Sequence, residues 1–248
     1  MSIGIVGTGF VGKAVSHGFT CEQHMYDIND KNTSLYQMIE TEPEAIFVCV
    51  PTPASEHPTD SMNIVVSVVN QIKQHDYKGI IIIKSTVLPG TFDDTVVCNP
   101  EFLSRDTAFD DFINPPVLVL GGDSADAACT LYKKYSRLSK DTPIITTNNN
   151  TACMIKYTMN CFYALKVCYM NIISEISEQC DANYNTLVEA CKHQPWMGSH
   201  HFDVPGPDGK YGFGGPCLPK DIHTFNKMYD TKLLELVQTL NKSQRNKI

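Results

Sequence analysis

Short runs rich in Val and Ile recur through the first 146 residues, at 3–6, 24–26, 45–50, 79–84, 95–98, 117–120 and 143–146, with helical patterns between them. The runs at 3–6 and 79–84 show no clear alternation of apolar and polar positions, which predicts strands covered on both faces. Strands alternating with helices predict an α/β domain built on a parallel, doubly wound sheet. The polar break Asn148-Asn149-Asn150-Thr151 ends this pattern, and the expected domains are 1–147 and 148–248. Beyond the break, residues 151–180 read as one long helix, apolar on most faces and free of Gly and Pro. Such a helix is buried within the protein or against a second subunit. Residues 183–193 read as another helix, 195–219 as a loop rich in Gly and Pro, and 221–228 and 231–243 as closing helices. The second domain is therefore expected to be all-helical around a long central helix. A structureless loop of 195–219's length marks function or disorder.

Composition narrows the partners. Hydrophobic residues make up 42% and charged residues 19%, with a net charge of −7. No run of Lys and Arg exists to track phosphates, so nucleic acid is not an expected partner. An anionic small substrate stays open, since a local cationic pocket overrides net charge. No basic leader with a cleavage site and no long apolar stretch is visible, so neither a signal peptide nor a membrane span is expected. The 10 cysteines show no CxxC spacing, which predicts reduced thiols in a cytoplasmic protein rather than zinc ligands. His200-His201 reads as a pair of solvated loop residues, with no third metal ligand in reach by spacing. No metal site is expected.

Gly7-Thr8-Gly9-Phe10-Val11-Gly12 follows the first strand and opens a helix. Glycines in this pattern allow a tight turn and close backbone approach to a pyrophosphate at a helix N-terminus. Asp27 lies 27 − 7 = 20 residues after Gly7, at the end of the second strand. A carboxylate there accepts hydrogen bonds from ribose hydroxyls and repels a 2′-phosphate, so NAD is expected over NADP. Residues 1–147 are thus a Rossmann-type NAD-binding domain by expectation.

Lys156 and Asn160 are four residues apart on the long helix and share a face. An unpaired ammonium in such apolar surroundings is costly, so Lys156 needs a partner or a route to solvent. Cys217 sits in Gly-Phe-Gly-Gly-Pro-Cys, just before Leu-Pro-Lys-Asp. Small residues on its N-terminal side leave room for a substrate, and a thiol at the start of a helix near lysines ionises readily. By itself each of these has a bland reading, a snorkelling lysine and a passive loop thiol.

Taken in order, Gly-Phe-Val-Gly, Val50-Pro51-Thr52-Pro53, Lys84-Ser85-Thr86-Val87, Asn99-Pro100-Glu101-Phe102-Leu103, Lys156 with Asn160, and Gly212-Phe213-Gly214-Gly215-Pro216-Cys217-Leu218-Pro219-Lys220-Asp221 resemble the UDP-glucose/GDP-mannose dehydrogenase family across nearly the whole chain. The resemblance implies NAD-dependent oxidation of the C6 alcohol of a nucleotide sugar to a carboxylate, with UDP-glucose leading among substrates. It implies Cys217 as nucleophile, Lys156 with Asn160 as the groups facing a developing oxyanion, and Asp221 as the carboxylate that positions a base or water. Glu101 resembles the family's acid near the reacting carbon, and Thr86 a polar contact beside the nicotinamide and the hydrolytic water. Thr52 and Pro53 resemble the cofactor wall. Phe102 and Leu103 resemble a substrate-holding stretch, to which Phe202 and Gly214 are added as expected substrate contacts.

The pattern departs in places. The third, nucleotide-binding domain that the family carries is expected to be missing. Arg105 stands where a second Glu is common, Trp196 where an Arg often reaches the substrate, and Pro207-Asp208-Gly209-Lys210 lengthens the loop before Cys217, with Lys210 a possible substitute cation. The apolar long helix predicts a homodimer. Two other readings stay open: an accessory nucleotide-binding module that needs a partner chain, and a dehydrogenase of the 3-hydroxyacid or 6-phosphogluconate type, which would lack the nucleophilic cysteine.

Overall fold

The computed structural model describes residues 1–104 and 106–247. The chain divides into two compact units, residues 1–53 with 59–156, and residues 54–58 with 157–248.

The first unit holds a seven-stranded sheet of order β2-β1-β3-β4-β5-β6-β7. Its strands are β1 (Ser2–Val6), β2 (Glu22–Tyr26), β3 (Ala45–Val48), β4 (Ile80–Ile83), β5 (Val97–Cys98), β6 (Leu118–Gly121) and β7 (Ile144–Thr147). β1, β3 and β4 lie inside the sheet and are almost wholly buried, as uninterrupted Ile/Val runs require. Strand order reverses between β1 and β3, because β2 lies on one side of β1 and all later strands on the other. In open α/β sheets that reversal opens a crevice at the carboxyl ends of the strands, where ligands bind.

The sheet is mixed rather than wholly parallel. Cys98 of β5 pairs with Gly121 of β6 in antiparallel sense, while the other neighbours run parallel. Between them the chain forms only a short helix, α4 (Ala108–Ile113), which packs on α1 (Phe10–Gly18). The chain therefore returns to the sheet from the opposite end. β5 is also shorter than the 95–98 run predicts, since Thr95 turns back to accommodate Asp93 and Pro100 ends the ladder. The helices α2 (Leu35–Glu40), α3 (Asn63–Gln74) and α5 (Ala125–Tyr135) complete the unit. Its core joins Ile3, Ile5, Phe47, Ile82 and Leu120 to an aromatic group of Phe19, Phe112 and Tyr132.

The long helix is α6 (Asn149–Gln179), 31 residues. The polar break is its first turn and not a loop. Asn148 caps it by accepting from the Thr151 amide at 2.8 Å. Asn149 is buried, accepts from the Cys98 amide and donates to the carbonyls of Asp93 and Val96. An asparagine run reads as a linker because its amides match backbone groups; here those backbone groups belong to the end of the sheet.

In the second unit α6 is followed by α7 (Tyr184–Lys192), α8 (Leu218–Tyr229) and α9 (Lys232–Arg245). α8 starts at Leu218, three residues earlier than expected, because Pro219 fits a first helical turn that needs no amide donor. Phe213, Ile222 and Val237 pack with Cys161, Ala164 and Cys168 of α6. Met170, Val188 and Phe202 form a second cluster.

Candidate active site

The first unit gathers the expected cofactor residues at the carboxyl edge of its sheet. Gly7 leaves β1 with φ +91°, and a Cβ there would lie 2.8 Å from the Cys49 carbonyl oxygen. Only glycine lets the β1 turn lie against the segment leaving β3. Gly9 caps α1 without any side-chain hydrogen bond, and nothing stands within 4 Å of where its Cβ would be. Open amides at a helix start, beside free space, fit a pyrophosphate. Thr52 is buried at the end of β3, next to Pro53, and Thr86 is half-buried beyond β4. Ser85 ties the two segments by donating to the Val50 carbonyl at 2.7 Å.

Asp27 accepts from the Thr8 amide and hydroxyl on one oxygen and from the Asn29 amide and side chain on the other. These bonds, the Thr8 amide first, hold its pKa down at about 2. The carboxylate is thus charged at any physiological pH, as the ribose reading requires.

Lys156 answers the question its sequence poses. It is buried, and its Nζ donates to the Glu101 carbonyl at 2.7 Å and to Glu101 Oε1 at 3.2 Å. The ammonium also stands 5.5 Å from the Phe102 ring centroid. Glu101 Oε2 accepts from the Leu103 amide at 2.7 Å, so the Asn99–Leu103 segment folds around the lysine. Behind it Lys84, missed by the sequence reading, donates to Asn99 Oδ1 at 3.0 Å, where the Tyr132 hydroxyl also donates. Burial pushes the Lys84 ammonium down to about 8. Asn99 thereby fixes the start of the Glu101 segment. Arg105 lies outside the described residues.

In the second unit, Asn160 lies one helical turn beyond Lys156 on α6. Its Nδ2 donates to Asp221 Oδ2 at 2.6 Å, and Lys220 pairs with Asp221 Oδ1. Asp221 is 1% exposed, and both of its oxygens are engaged. Its amide bonds the Cys217 carbonyl at 2.9 Å, in the first turn of α8. Cys217 is the N-cap of that helix and is half-buried. Asn160, Asp221, Lys220 and Cys217 therefore form one connected group.

A cavity of about 440 Å³ adjoins this loop, lined by His200, His201, Asp203, Asp208, Gly214 and Leu218 among others. Gly214 is on its wall, where the sequence reading places a substrate contact. Phe202 is not: its ring is 1% exposed, packed in the cluster with Met170 and Val188, so it is a core residue. His201 is also not a solvated residue. It stacks on Tyr163 with centroids 4.5 Å apart, and burial lowers its pKa. His200 and Trp196 are exposed, Trp196 at 94%. Lys210 offers backbone, bonding Gly206 and Asp208, while its neighbour Asp208 forms an ion pair with Arg245 at 2.7 Å.

Lys166 was missed as well. Its Nζ donates to the Met197 and His200 carbonyls and lies 3.7 Å from the Phe202 ring centroid. The signal was present, a lysine between Leu165 and Val167, and is the same as for Lys156. Among the described residues no group of three or more His, Cys, Asp or Glu could hold a metal, and no helix is long and apolar enough to cross a membrane.

Comparison with known proteins agrees with this arrangement. Residues 20–139 match the NAD binding domain of the UDP-glucose/GDP-mannose dehydrogenase family, and residues 150–245 match that family's central domain. A UDP-glucose 6-dehydrogenase of Rickettsia prowazekii is 32% identical over 231 residues, covering 86% of this chain and 52% of that protein. A GDP-mannose 6-dehydrogenase of Pseudomonas aeruginosa is 30% identical over 199 residues, 71% of this chain and 44% of that protein. The chain spans about half the length of the curated relatives it matches. Among solved structures, a UDP-glucose dehydrogenase from Pyrobaculum islandicum superposes with a TM-score of 0.81 at 23% identity, over 98% of this chain and 68% of that one. The fold is also shared with a 3-hydroxyisobutyrate dehydrogenase of Mycobacterium tuberculosis, at 12% identity and a TM-score of 0.69, over 98% of this chain and 92% of that one. The cofactor of the first unit is NAD.

Proposed function

The chain belongs to the UDP-glucose/GDP-mannose dehydrogenase family, and from that premise we propose that it oxidises the C6 alcohol of a nucleotide sugar to a carboxylate, with UDP-glucose first among the candidates. The observation that carries the reading is Cys217 at the N-cap of α8, joined through the Asp221 backbone to the buried Asn160–Asp221–Lys220 group. NAD, when bound, accepts the hydride in each of two oxidations. Gly7, Gly9, Phe10, Val11 and Gly12 form its phosphate turn, Asp27 holds the ribose, and Thr52, Pro53 and Thr86 flank it.

In the first oxidation the alcohol loses a hydride and a proton and becomes an aldehyde. The Cys217 thiolate then adds to the aldehyde carbon, giving a thiohemiacetal. Loss of a second hydride and a proton makes a thioester. Water attacks its carbonyl carbon, the C–S bond breaks, and the thiolate is restored as the carboxylate leaves. A thiolate at a helix N-terminus is favoured by the helix dipole. Lys156 keeps a donor beyond the two it gives Glu101, since an ammonium has three, and with Asn160 it meets charge on the C6 oxygen. Asp221 and Glu101 position the water and its proton. Phe102, Leu103 and Gly214 line the sugar's place.

A panel of nucleotide sugars tests this. UDP-glucose is expected to yield two NADH per molecule oxidised, with a large preference for NAD over NADP. One NADH per substrate, with a small hydroxyacid in place of the sugar, would instead establish the 3-hydroxyacid type, whose fold is shared here. No turnover by this chain, regained on adding a partner, would establish an accessory module. The 10 free thiols suit the reducing cytoplasm.

We also propose that the chain pairs with a second copy along α6. Phe162, Tyr169 and Ile176 recur at seven-residue intervals, each about half exposed, and form one apolar stripe along the helix. Light scattering is expected to give about twice the 27.6 kDa chain mass. Phe162→Asp is expected to halve it; a single-chain mass for the unmodified protein rules the pairing out.

A further inference from the structure

The segment before Cys217 is held at one point with unusual completeness. Asn241 of α9 accepts from the Phe213 amide through Oδ1 at 2.7 Å and donates through Nδ2 to the Phe213 carbonyl at 3.1 Å. One amide side chain thus reads both polar groups of one peptide residue, which takes a donor and an acceptor on the same planar group. The preceding amide, Gly212, donates to Asn171 Oδ1 of α6 at 2.9 Å, and Asn171 is braced by its own bond to the Val167 carbonyl. Gly212 has φ +70°, and a Cβ there would run into Asn241 Oδ1. The Phe213 ring is buried in the cluster of Cys161, Cys168, Ile222 and Val237. α9 in turn is fixed to α6 by Gln244, which donates to the Cys168 carbonyl at 3.0 Å.

Downstream the picture changes. Gly215 has φ +75° and open space where a Cβ would be. The next fixed point is Cys217, where α8 begins. Three residues, Gly214 to Pro216, therefore span two anchors, and the upstream anchor is the Asn241–Phe213 pair.

We propose that Asn241 is a positioning residue for Cys217: its two-point grip on Phe213 sets where the glycine segment starts and so holds the thiol at the head of α8. This rests on the function proposed for Cys217, but its test needs no turnover. Alkylation by iodoacetamide, followed by peptide mass mapping, gives the rate at Cys217 relative to the exposed Cys180 in the same chain. Alkylation requires the thiolate, which the head of α8 favours. In Asn241→Leu, which keeps the size and removes both bonds, the Cys217/Cys180 ratio at pH 7 is expected to fall about threefold or more. At pH 10, where both thiols are ionised, the ratio is expected to match the unmodified chain. Asn241→Asp keeps the acceptor for the Phe213 amide and sets an oxygen against the Phe213 carbonyl; it is expected to fall part of the way and serves if the Leu variant does not fold. Asn226→Ala removes an amide that bonds Thr231 at the α8–α9 turn and is the control, expected to leave the ratio unchanged. An unchanged ratio in both Asn241 variants overturns the proposal. So does an equal fall at pH 7 and pH 10, which reports access alone, or an equal fall in the control. If no nucleotide sugar is oxidised while the ratio falls as expected, the catalytic reading fails and the positioning role stands.

Discussion

Cys217→Ser is expected to stop net oxidation to the carboxylate and to leave the chain folded. The substitution exchanges Sγ for Oγ at a half-buried N-cap, where serine is itself a favoured cap. Little stability is therefore at stake, and thermal unfolding is expected within a few degrees of the unmodified chain. The chemistry is another matter. A serine hydroxyl is not ionised at neutral pH, so no adduct forms from which the second hydride departs. A fall in steady-state rate on the order of 10³-fold or more is expected, by comparison with the loss of other covalent nucleophiles. At most one NADH per bound sugar is expected in a single turnover. Carboxylate formed at near the unmodified rate would falsify the covalent mechanism while leaving the family assignment untouched.

Gly12→Ala is expected to be the most damaging small substitution in the first unit, and Gly9→Ala its informative partner. A Cβ at Gly12 would overlap the Gly7 carbonyl oxygen deeply. Both groups are backbone, so relief requires α1 to move away from the end of β1. Overpacking of this kind costs about 1–3 kcal/mol or more, and for a chain of this size each kcal/mol lowers Tm by about 2–4 °C. A drop of roughly 5–10 °C with loss of NAD binding is expected. At Gly9 the added methyl meets nothing within 4 Å, and φ is −66°. Folding is then expected to be unaffected while the methyl occupies the approach to the α1 amides, so NAD binding weakens at constant Tm. Calorimetric unfolding and NAD titration of the pair separate the two effects. If Gly9→Ala binds NAD as well as the unmodified chain, the phosphate does not lie against that turn.

Local chemistry was the legible part. The strand–GxGxxG–helix order and the acid 20 residues on carry their own geometry, and the turn at Gly7 and the charged state of Asp27 follow from it. Lys156 was also legible as a problem, a cation in an apolar helix. Its solution, Glu101, lies 55 positions away and came only through family resemblance. The groups that were missed are of this long-range kind. Lys166 bonds carbonyls 31 and 34 positions on, and Asn241 grips Phe213 across 28. No periodicity encodes which carbonyl a long side chain will reach. Phe202 misled for a related reason: an aromatic beside a glycine loop reads equally as a substrate platform or as a core plug, and only its neighbours decide. The reversed β6 was hidden because Val117–Leu120 has the same apolar look in either direction.

The length of α6 has a consequence for how this sequence can change over time. At about 1.5 Å and 100° per residue, its 31 residues make a rod of roughly 46 Å that carries Asn149, Lys156, Asn160, Lys166 and Asn171 in fixed angular relation. A substitution at any one of them removes one contact. Gaining or losing a single residue between Asn149 and Asn171 turns everything beyond it by about 100°, so several of these contacts fail together. Lineages of this chain are therefore expected to accept length changes in the 193–217 loop and exchanges of residue type along α6, but to keep the count of residues within the helix constant. The helix acts as a ruler whose markings are spaced by the chemistry they serve.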